Sequence, residues 1–181
     1  MKCVLSIDGG GIRGIIPALV LDAIEQEVGK NSCEMFDLMA GTSTGGILAL
    51  GLSVPDGEGS CAYSAKKMAE LYQQHGKTIF SKSLLKRVTS INGWSDNIYD
   101  HVGLVEVLDM YFDEKLLEDA TARVMITAYD IFHRQTIFFK SWREKWEKVR
   151  MVDVARATSA APTYFEPLDI TINGKRRALV D

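Results

Sequence analysis

The sequence lacks the features of several large classes of protein. Lys and Arg number 21 against 24 Asp and Glu, a formal net charge of −3, so the basic excess typical of nucleic-acid-binding proteins is missing. No apolar run approaches the roughly 18 residues of a membrane-spanning helix, and the run that ends at Asp8 is too short for a signal peptide. With 46% hydrophobic and 25% charged residues, the composition predicts one globular domain over residues 1–181, located in the cytoplasm.

Cysteine and histidine are also scarce, with three residues of each. Cys3, Cys33 and Cys61 are odd in number, widely spaced and without a histidine at metal-ligand spacing. This pattern indicates neither a disulfide framework nor a zinc site. We therefore expect a reducing compartment, no metal and no other cofactor.

What the sequence does contain is a repeated unit of strand, tight turn and helix. The short apolar run over residues 2–8 ends at a glycine cluster, and a helical pattern with an early proline follows over residues 15–28. The segment "EMFDLMAGTSTGGILALGL", residues 34–52, repeats the arrangement. Two such units predict an α/β fold with a parallel sheet covered by helices.

The rest of the chain supplies further elements of both kinds. Periodicity predicts helices over residues 62–75, 102–112 and 152–162, and strands over residues 122–130 and 135–141. Asn173-Gly174 between two β-patterned runs predicts a hairpin that brings Asp181 to a strand end. Residues 80–99 lack clean periodicity, so we interpret them as a mobile loop or lid.

The segment "GTSTG", from Gly41 to Gly45, matches the G-x-S-x-G nucleophile elbow. In that motif the serine occupies a sharp turn between a strand and a helix, where side chains at the glycine positions would clash. An apolar run precedes the motif and a helical run follows it, so Ser43 falls at a helix start. The context favours Ser43 as a nucleophile, although a helix cap beside tight packing would use the same residues.

A serine nucleophile also needs a base and donors for an oxyanion. The three histidines, His75, His101 and His133, lie in segments typical of surface or capping positions, so a base other than histidine is indicated. The loop "DGGGIRG" satisfies G-x-G-x-x-G, but Asp37, the acidic residue at dinucleotide-site spacing, lies at the start of the second strand instead of its end. We therefore interpret the loop as a source of backbone amides for an acyl oxygen.

Four motifs in this order and spacing resemble those of the patatin-like phospholipases: "DGGGIRG", "GTSTG", "ARATSAAPTYF" and the final "LVD". The resemblance implies a three-layer α/β/α fold with a mostly parallel central sheet and a Ser-Asp catalytic dyad. By this resemblance Ser43 is the nucleophile and Asp181 the base, with Gly41 and Gly45 flanking the elbow. The implied oxyanion loop consists of Gly9, Gly10, Gly11 and Arg13.

The resemblance also implies a reaction and a substrate class. The reaction would be hydrolysis of an acyl ester in a phospholipid, lysophospholipid or neutral lipid, without metal, at a membrane with which the protein associates peripherally. The D-G-[GA] glycines that follow the family's aspartate are absent after Asp181, so we expect a catalytic domain truncated at its C-terminus. Oligomeric state stays open.

Two alternatives and two candidate membrane-contact segments also stay open. The alternatives are a nucleotide-binding module that uses the G-x-G-x-x-G loop, and a phospholipase effector gated by a signalling ligand. The candidate contact segments are residues 81–94, where basic and apolar residues alternate, and Trp142 with Trp146, four residues apart among basic residues. For residues 81–94 the pattern favours core packing with a solvated face over membrane contact, and the spacing of Trp142 and Trp146 also fits a helix packed on a sheet.

Overall fold

A computed structural model of the chain describes residues 2–76, 102–162 and 164–181. Six strands form one mixed sheet. Five of them follow the order β1-β2-β3-β6-β5, and the sixth, β4, pairs with β3 outside this order. The strands are β1 (Val4–Ile7), β2 (Leu38–Gly41), β3 (Arg123–Asp130), β4 (Gln135–Lys140), β5 (Leu168–Ile172) and β6 (Lys175–Val180).

Helices connect and flank these strands. They are α1 (Ile15–Val28), α2 (Ser32–Met35), α3 (Thr44–Gly51), α4 (65–76), α5 (Val102–Phe112), α6 (Glu144–Glu147) and α7 (Met151–Ser159). Short 3₁₀ turns lie at Gly11–Gly14 and Leu117–Asp119. The helices and strands predicted from periodicity are present, with boundaries that differ by a few residues. The predicted lid over residues 80–99 lies outside the described residues.

The two predicted strand-turn-helix units are neighbours in the sheet. β1 pairs with β2 in parallel, from Val4 opposite Leu38 to Ile7 opposite Gly41, and β2 pairs in parallel with β3. Parallel neighbours end at the same edge of a sheet, so the turns after β1 and β2 are adjacent. All eight residues of α3 are buried, and α3 packs on β2 and on α7.

The other half of the sheet is antiparallel. β3 pairs with β4 and β6, and β5 pairs with β6 through the predicted Asn173-Gly174 turn, where φ is 50° and 73° respectively. Two successive residues of positive φ are the conformation that Asn-Gly favours in a two-residue hairpin. As predicted, the hairpin brings Asp181 to a strand end.

The cysteine prediction was wrong for one pair. Cys33 and Cys61 form a disulfide, with their Cα atoms 6.4 Å apart, and Cys3 is free. The two residues are 28 positions apart in sequence, and only the packing of α2 beside the loop after α3 brings them together, so spacing gave no signal.

Within the described ranges, no helix combines the length and apolar character needed to cross a membrane.

Candidate active site

Ser43 occupies the turn between β2 and α3 in a backbone conformation that residues other than glycine rarely adopt. Its φ is 54° and its ψ is −129°, which places a non-glycine residue in the left-handed half of backbone space at a cost of about 1–3 kcal/mol. Two contacts stabilise the turn: the Ser43 amide donates to Thr158 Oγ1 at 2.8 Å, and the Thr42 amide donates to the Ile7 carbonyl at 3.3 Å. The backbone is therefore held in a sharp turn around the serine.

Glycine is required at both ends of this turn because the backbone passes too close for a side chain. A Cβ added at Gly41 would lie 2.4 Å from the Gly45 carbonyl oxygen, and one at Gly45 would lie 2.3 Å from the Ile7 carbonyl oxygen. Real Cβ atoms essentially never make such contacts with backbone. Gly41 is thus required because the first turn of α3 folds back against it, and Gly45 because α3 crosses the end of β1.

The glycine loop after β1 lies directly against the serine. A Cβ at Gly9 would be 2.7 Å from Ser43 Cβ and 3.5 Å from Ser43 Oγ. The Gly10 amide donates to Thr44 Oγ1 at 3.2 Å, and the Arg13 amide and Nε both donate to the Gly10 carbonyl. Of the three loop amides, those of Gly9 and Gly11 have no acceptor within the described part of the chain.

Asp181 approaches the serine from β6. Its amide donates to the Ala160 carbonyl at 3.0 Å, which ties the end of the strand to the residue after α7. Burial raises the pKa of the Asp181 carboxyl, and a hydrogen bond from the Ser43 side chain opposes part of that rise. A carboxylate with a raised pKa is a better proton acceptor than one in open water.

These residues share a cavity of about 600 Å³, which we call the Ser43 cavity. Ser43 and Asp181 line it together with the whole predicted oxyanion loop. Most of the remaining wall is apolar and comes from Ile12, Ala161, Tyr164 and Phe165. The residues predicted as nucleophile, base and oxyanion loop thus line one cavity whose remaining wall is largely apolar.

Comparisons with known proteins identify the family. A family model described as Patatin-like phospholipase matches residues 5–181. Patatin-like protein 2 of Arabidopsis thaliana is 33% identical over 198 residues, which cover 98% of this chain and 48% of that protein. Patatin-17 of Solanum cardiophyllum is 38% identical over 177 residues, which cover 92% of this chain and 44% of that protein. The chain belongs to the patatin-like phospholipase family.

Solved structures agree on the fold of this family member. VipD from Legionella pneumophila superposes with a TM-score of 0.60 at 13% identity, covering 99% of this chain and 45% of that one. The complex of ExoU with SpcU from the type III secretion system of Pseudomonas aeruginosa superposes with a TM-score of 0.54 at 14% identity. The match covers 96% of this chain and 39% of that one. The resemblance inferred from the four motifs and the predicted α/β fold class are confirmed. The chain spans a little under half the length of the curated relatives it matches.

Several residues considered in the sequence lie away from the Ser43 cavity. His75 packs edge-on against Tyr111, and His133 Nδ1 lies 2.9 Å from Asp130 Oδ2 in the β3–β4 turn, so neither serves the serine. Asp37 accepts from the Cys3 amide at the amino end of β2, the edge of the sheet opposite the glycine loop. His101 and the candidate contact segment 81–94 lie outside the described residues.

Two threonines that the sequence analysis did not single out support the site. Thr158, fully buried in α7, accepts from the Ser43 amide, and Thr44 accepts from Gly10 and so couples the loop to the elbow. Both lie inside the recognised motifs "ARATSAAPTYF" and "GTSTG". The motifs marked the right segments, but only the packing of α7 on α3 reveals which hydroxyl faces the serine.

Proposed function

We propose that this chain is the catalytic part of a serine lipid acyl hydrolase that cleaves carboxylic esters with Ser43 as nucleophile and Asp181 as base. The observation that carries the proposal is that Ser43 and Asp181 line the same cavity, beside the glycine loop and a largely apolar wall, with the Ser43 side chain near enough to lower the pKa of the Asp181 carboxyl against the effect of burial. Family membership supports the same chemistry, because the family model that matches residues 5–181 is described as Patatin-like phospholipase.

The reaction follows from the positions of these groups. Ser43 Oγ attacks the acyl carbonyl carbon as its proton passes to the Asp181 carboxylate, and the carbonyl π electrons move onto oxygen. The amides of Gly9 and Gly11 are the available donors for that oxyanion, while Gly10 and Arg13 hold the loop in shape. Asp181 then protonates the departing alcohol, which leaves an acyl ester on Ser43.

Deacylation reuses the same residues with water as the nucleophile. Asp181 takes a proton from water while the oxygen attacks the acyl ester, and returns that proton to Ser43 Oγ as the fatty acid leaves. No metal is needed, because nucleophile, base and oxyanion donors account for acyl transfer. The apolar wall of Ile12, Ala161, Tyr164 and Phe165 suits a fatty acyl chain, so the proposed substrate is a phospholipid, lysophospholipid or neutral acyl ester at a membrane surface.

The nucleotide-binding alternative has less support from the geometry. A dinucleotide site of this type places an acidic residue beside the ribose at the carboxyl end of the second strand. Asp37 lies at the other end of β2, and Ser43 follows the carboxyl end. No observation in the described residues favours gating by a signalling ligand over constitutive activity.

The test is labelling of the purified protein with a fluorophosphonate, followed by location of the modified peptide by mass spectrometry. We expect the label on Ser43, its loss in Ser43→Ala, and a reduction of about a hundredfold or more in Asp181→Asn. Because the pKa of Asp181 is raised, the base becomes protonated at a higher pH than an ordinary aspartate. Labelling should therefore decline with falling pH while the pH is still above 3.8, the ordinary aspartate value.

Asp169→Asn is the matched control, because it removes an exposed carboxylate from the neighbouring strand β5. It should label at the wild-type rate with an unchanged pH profile. Wild-type labelling in Asp181→Asn would contradict the assignment of Asp181, and a folded protein that takes no label would contradict the hydrolase itself.

A further inference from the structure

A second cavity, over β4, concentrates positive charge. Its volume is about 500 Å³, and it is lined by residues of β4, of the segment around α6 and of β6. Four of its nine lining side chains are basic, and the lining includes no acidic side chain. We call it the basic cavity; its basic side chains are Lys140, Arg143, Lys145 and Arg177.

Most of this charge is unneutralised. Lys140, Arg143 and Lys145 form no ion pair with any described residue. Arg177 donates from one terminal nitrogen to Asp130 at 2.7 Å, and Asp130 is shared with His133. Like charges that line a concave surface raise its potential and attract anions into it.

Two residues that line the basic cavity also carry buried hydrogen-bond donors without acceptors. Within the described part of the chain, Trp146 Nε1 and Arg177 Nε are buried and have no partner. Trp146 is only 3% exposed, and its ring has Lys145 Nζ at 4.6 Å and the Arg177 guanidinium carbon at 5.6 Å from the centroid. Buried donors without acceptors are rare in folded proteins and indicate an unmade contact.

We propose that the basic cavity binds a phosphate-bearing ligand. Guanidinium groups pair with phosphate oxygens through two parallel hydrogen bonds, and lysines add point charge. The volume exceeds that of a phosphate ion and lies in the range of about 300–1,000 Å³ found for small-molecule sites. Phe138, 44% exposed, gives the organic part of the ligand an apolar wall.

The proposal does not depend on the hydrolase. None of the residues of the basic cavity lines the Ser43 cavity, so binding is measured independently of acyl transfer. Two sources offer the same chemistry: the phosphate headgroup of a lipid, and a soluble phosphorylated small molecule. Experiments with vesicles and with free phosphate distinguish them.

The first experiment titrates inorganic phosphate into the protein by calorimetry while the indole N–H signals of ¹⁵N-labelled tryptophan are followed by NMR. We expect saturable binding and a change in the chemical shift of the Trp146 indole proton, assigned with Trp146→Phe, because Lys145 and Arg177 lie over the Trp146 ring. Arg143→Gln and Lys145→Gln should each weaken binding by about tenfold, the loss of one charge-assisted hydrogen bond. Lys66→Gln is the matched control: Lys66 is exposed on α4, outside the basic cavity, and its variant should bind like the wild type.

The second experiment compares phosphatidylcholine vesicles with and without phosphatidic acid, using wild type and Arg143→Gln. Retention that requires both phosphatidic acid and Arg143 identifies a lipid headgroup as the source. Saturable phosphate binding with equal retention on both vesicles identifies a soluble ligand. Phosphate binding of equal strength in wild type, Arg143→Gln and Lys145→Gln would overturn the proposal, as would the absence of both saturable phosphate binding and phosphatidic acid-dependent retention.

Discussion

The Ser43 cavity and the basic cavity have similar volumes, about 600 and 500 Å³, but they are built from different parts of the chain. The Ser43 cavity depends on backbone: a residue at unusual φ, glycines that allow segments to approach closely, and a glycine loop that forms part of the wall. The basic cavity depends on long side chains from three separate elements. Substitutions that displace the backbone should therefore disrupt the Ser43 cavity severely, whereas single side-chain substitutions in the basic cavity should leave the protein folded.

The largest effect is expected from Gly45→Ala. Alanine favours a helix over glycine by about 1 kcal/mol, but its Cβ would lie 2.3 Å from the Ile7 carbonyl oxygen. Because that contact is with backbone, α3 and β1 must move apart to admit the methyl group. We therefore expect a loss of more than about 3 kcal/mol in the free energy of unfolding.

Gly10→Ala is the control for this backbone effect, with urea denaturation as the measurement. Gly10 has an extended φ of 175°, and an added Cβ would meet its nearest atom at 3.6 Å, an ordinary contact. Its stability should change by less than about 0.5 kcal/mol. Equal losses in the two variants would mean that the crossing does not depend on the absence of a side chain at position 45.

The same contrast explains what could be predicted from the sequence. The elbow was predictable because sharp turns and close crossings restrict residue type locally, so Gly41, Ser43 and Gly45 carry a recognisable pattern. The parallel arrangement of β1 and β2 was predictable because each of these strands is followed by such a turn and then by a helix. The hairpin that delivers Asp181 was predictable for the same local reason, the positive φ at Asn173 and Gly174.

Features that depend on distant side chains were not predictable. Trp146 was considered for a membrane-facing stripe, but it is 3% exposed and its ring packs edge-on against Phe139 with centroids 5.0 Å apart. The Cys33–Cys61 disulfide and the contact of Thr158 with Ser43 likewise join segments that only tertiary packing brings together. Contacts between segments that are distant in sequence leave no periodic pattern in a single sequence, so they could not be predicted from it.

The next largest effect is expected from Asp130→Asn, which removes the carboxylate partner of Arg177 in the basic cavity. Asp130 is fully buried and accepts from the amides of Phe132 and His133, from the His133 ring and from Arg177, whose strand continues to Asp181. Its loss leaves Arg177 without its carboxylate and should cost about 3 kcal/mol at neutral pH. The exposed pair of Asp169 with Arg176 on the same hairpin is the control, and Asp169→Asn should cost less than about 1 kcal/mol.

The pH dependence of this difference has a definite sign. Burial raises the pKa of Asp130, but hydrogen bonds from His133 and Arg177 outweigh burial and leave it below the ordinary value of 3.8. A lowered pKa stabilises the fold above the unfolded-state value and stops doing so as the pH falls through the folded-state value. The difference between wild type and Asp130→Asn should thus be constant above pH 3.8 and shrink below it; a difference that grows on acidification would contradict the charged pair.

A smaller effect is expected from Thr158→Val. Valine has nearly the shape of threonine but leaves the Ser43 amide without its acceptor, at a cost of about 1–2 kcal/mol. The turn around Ser43 should loosen, so fluorophosphonate labelling should slow as well. Thr158→Ser keeps the hydroxyl and should retain most of the labelling rate; if serine slowed labelling more than valine, packing of the threonine methyl group would be the cause instead.

The smallest effect is expected in the basic cavity, from Lys145→Gln. Lys145 is exposed and stacks on Trp146, a contact that contributes about 0.5–1 kcal/mol at such sites. Its removal also relieves repulsion from Arg177, which lies over the same ring. Because the two contributions oppose each other, the free energy of unfolding should change by less than about 0.5 kcal/mol in low salt.

Urea denaturation at low salt, without and with added phosphate, measures this change and tests the proposed ligand. Phosphate should stabilise the wild type more than Lys145→Gln, because a ligand that binds only the folded state stabilises it in proportion to its affinity, and equal stabilisation would place the anion elsewhere.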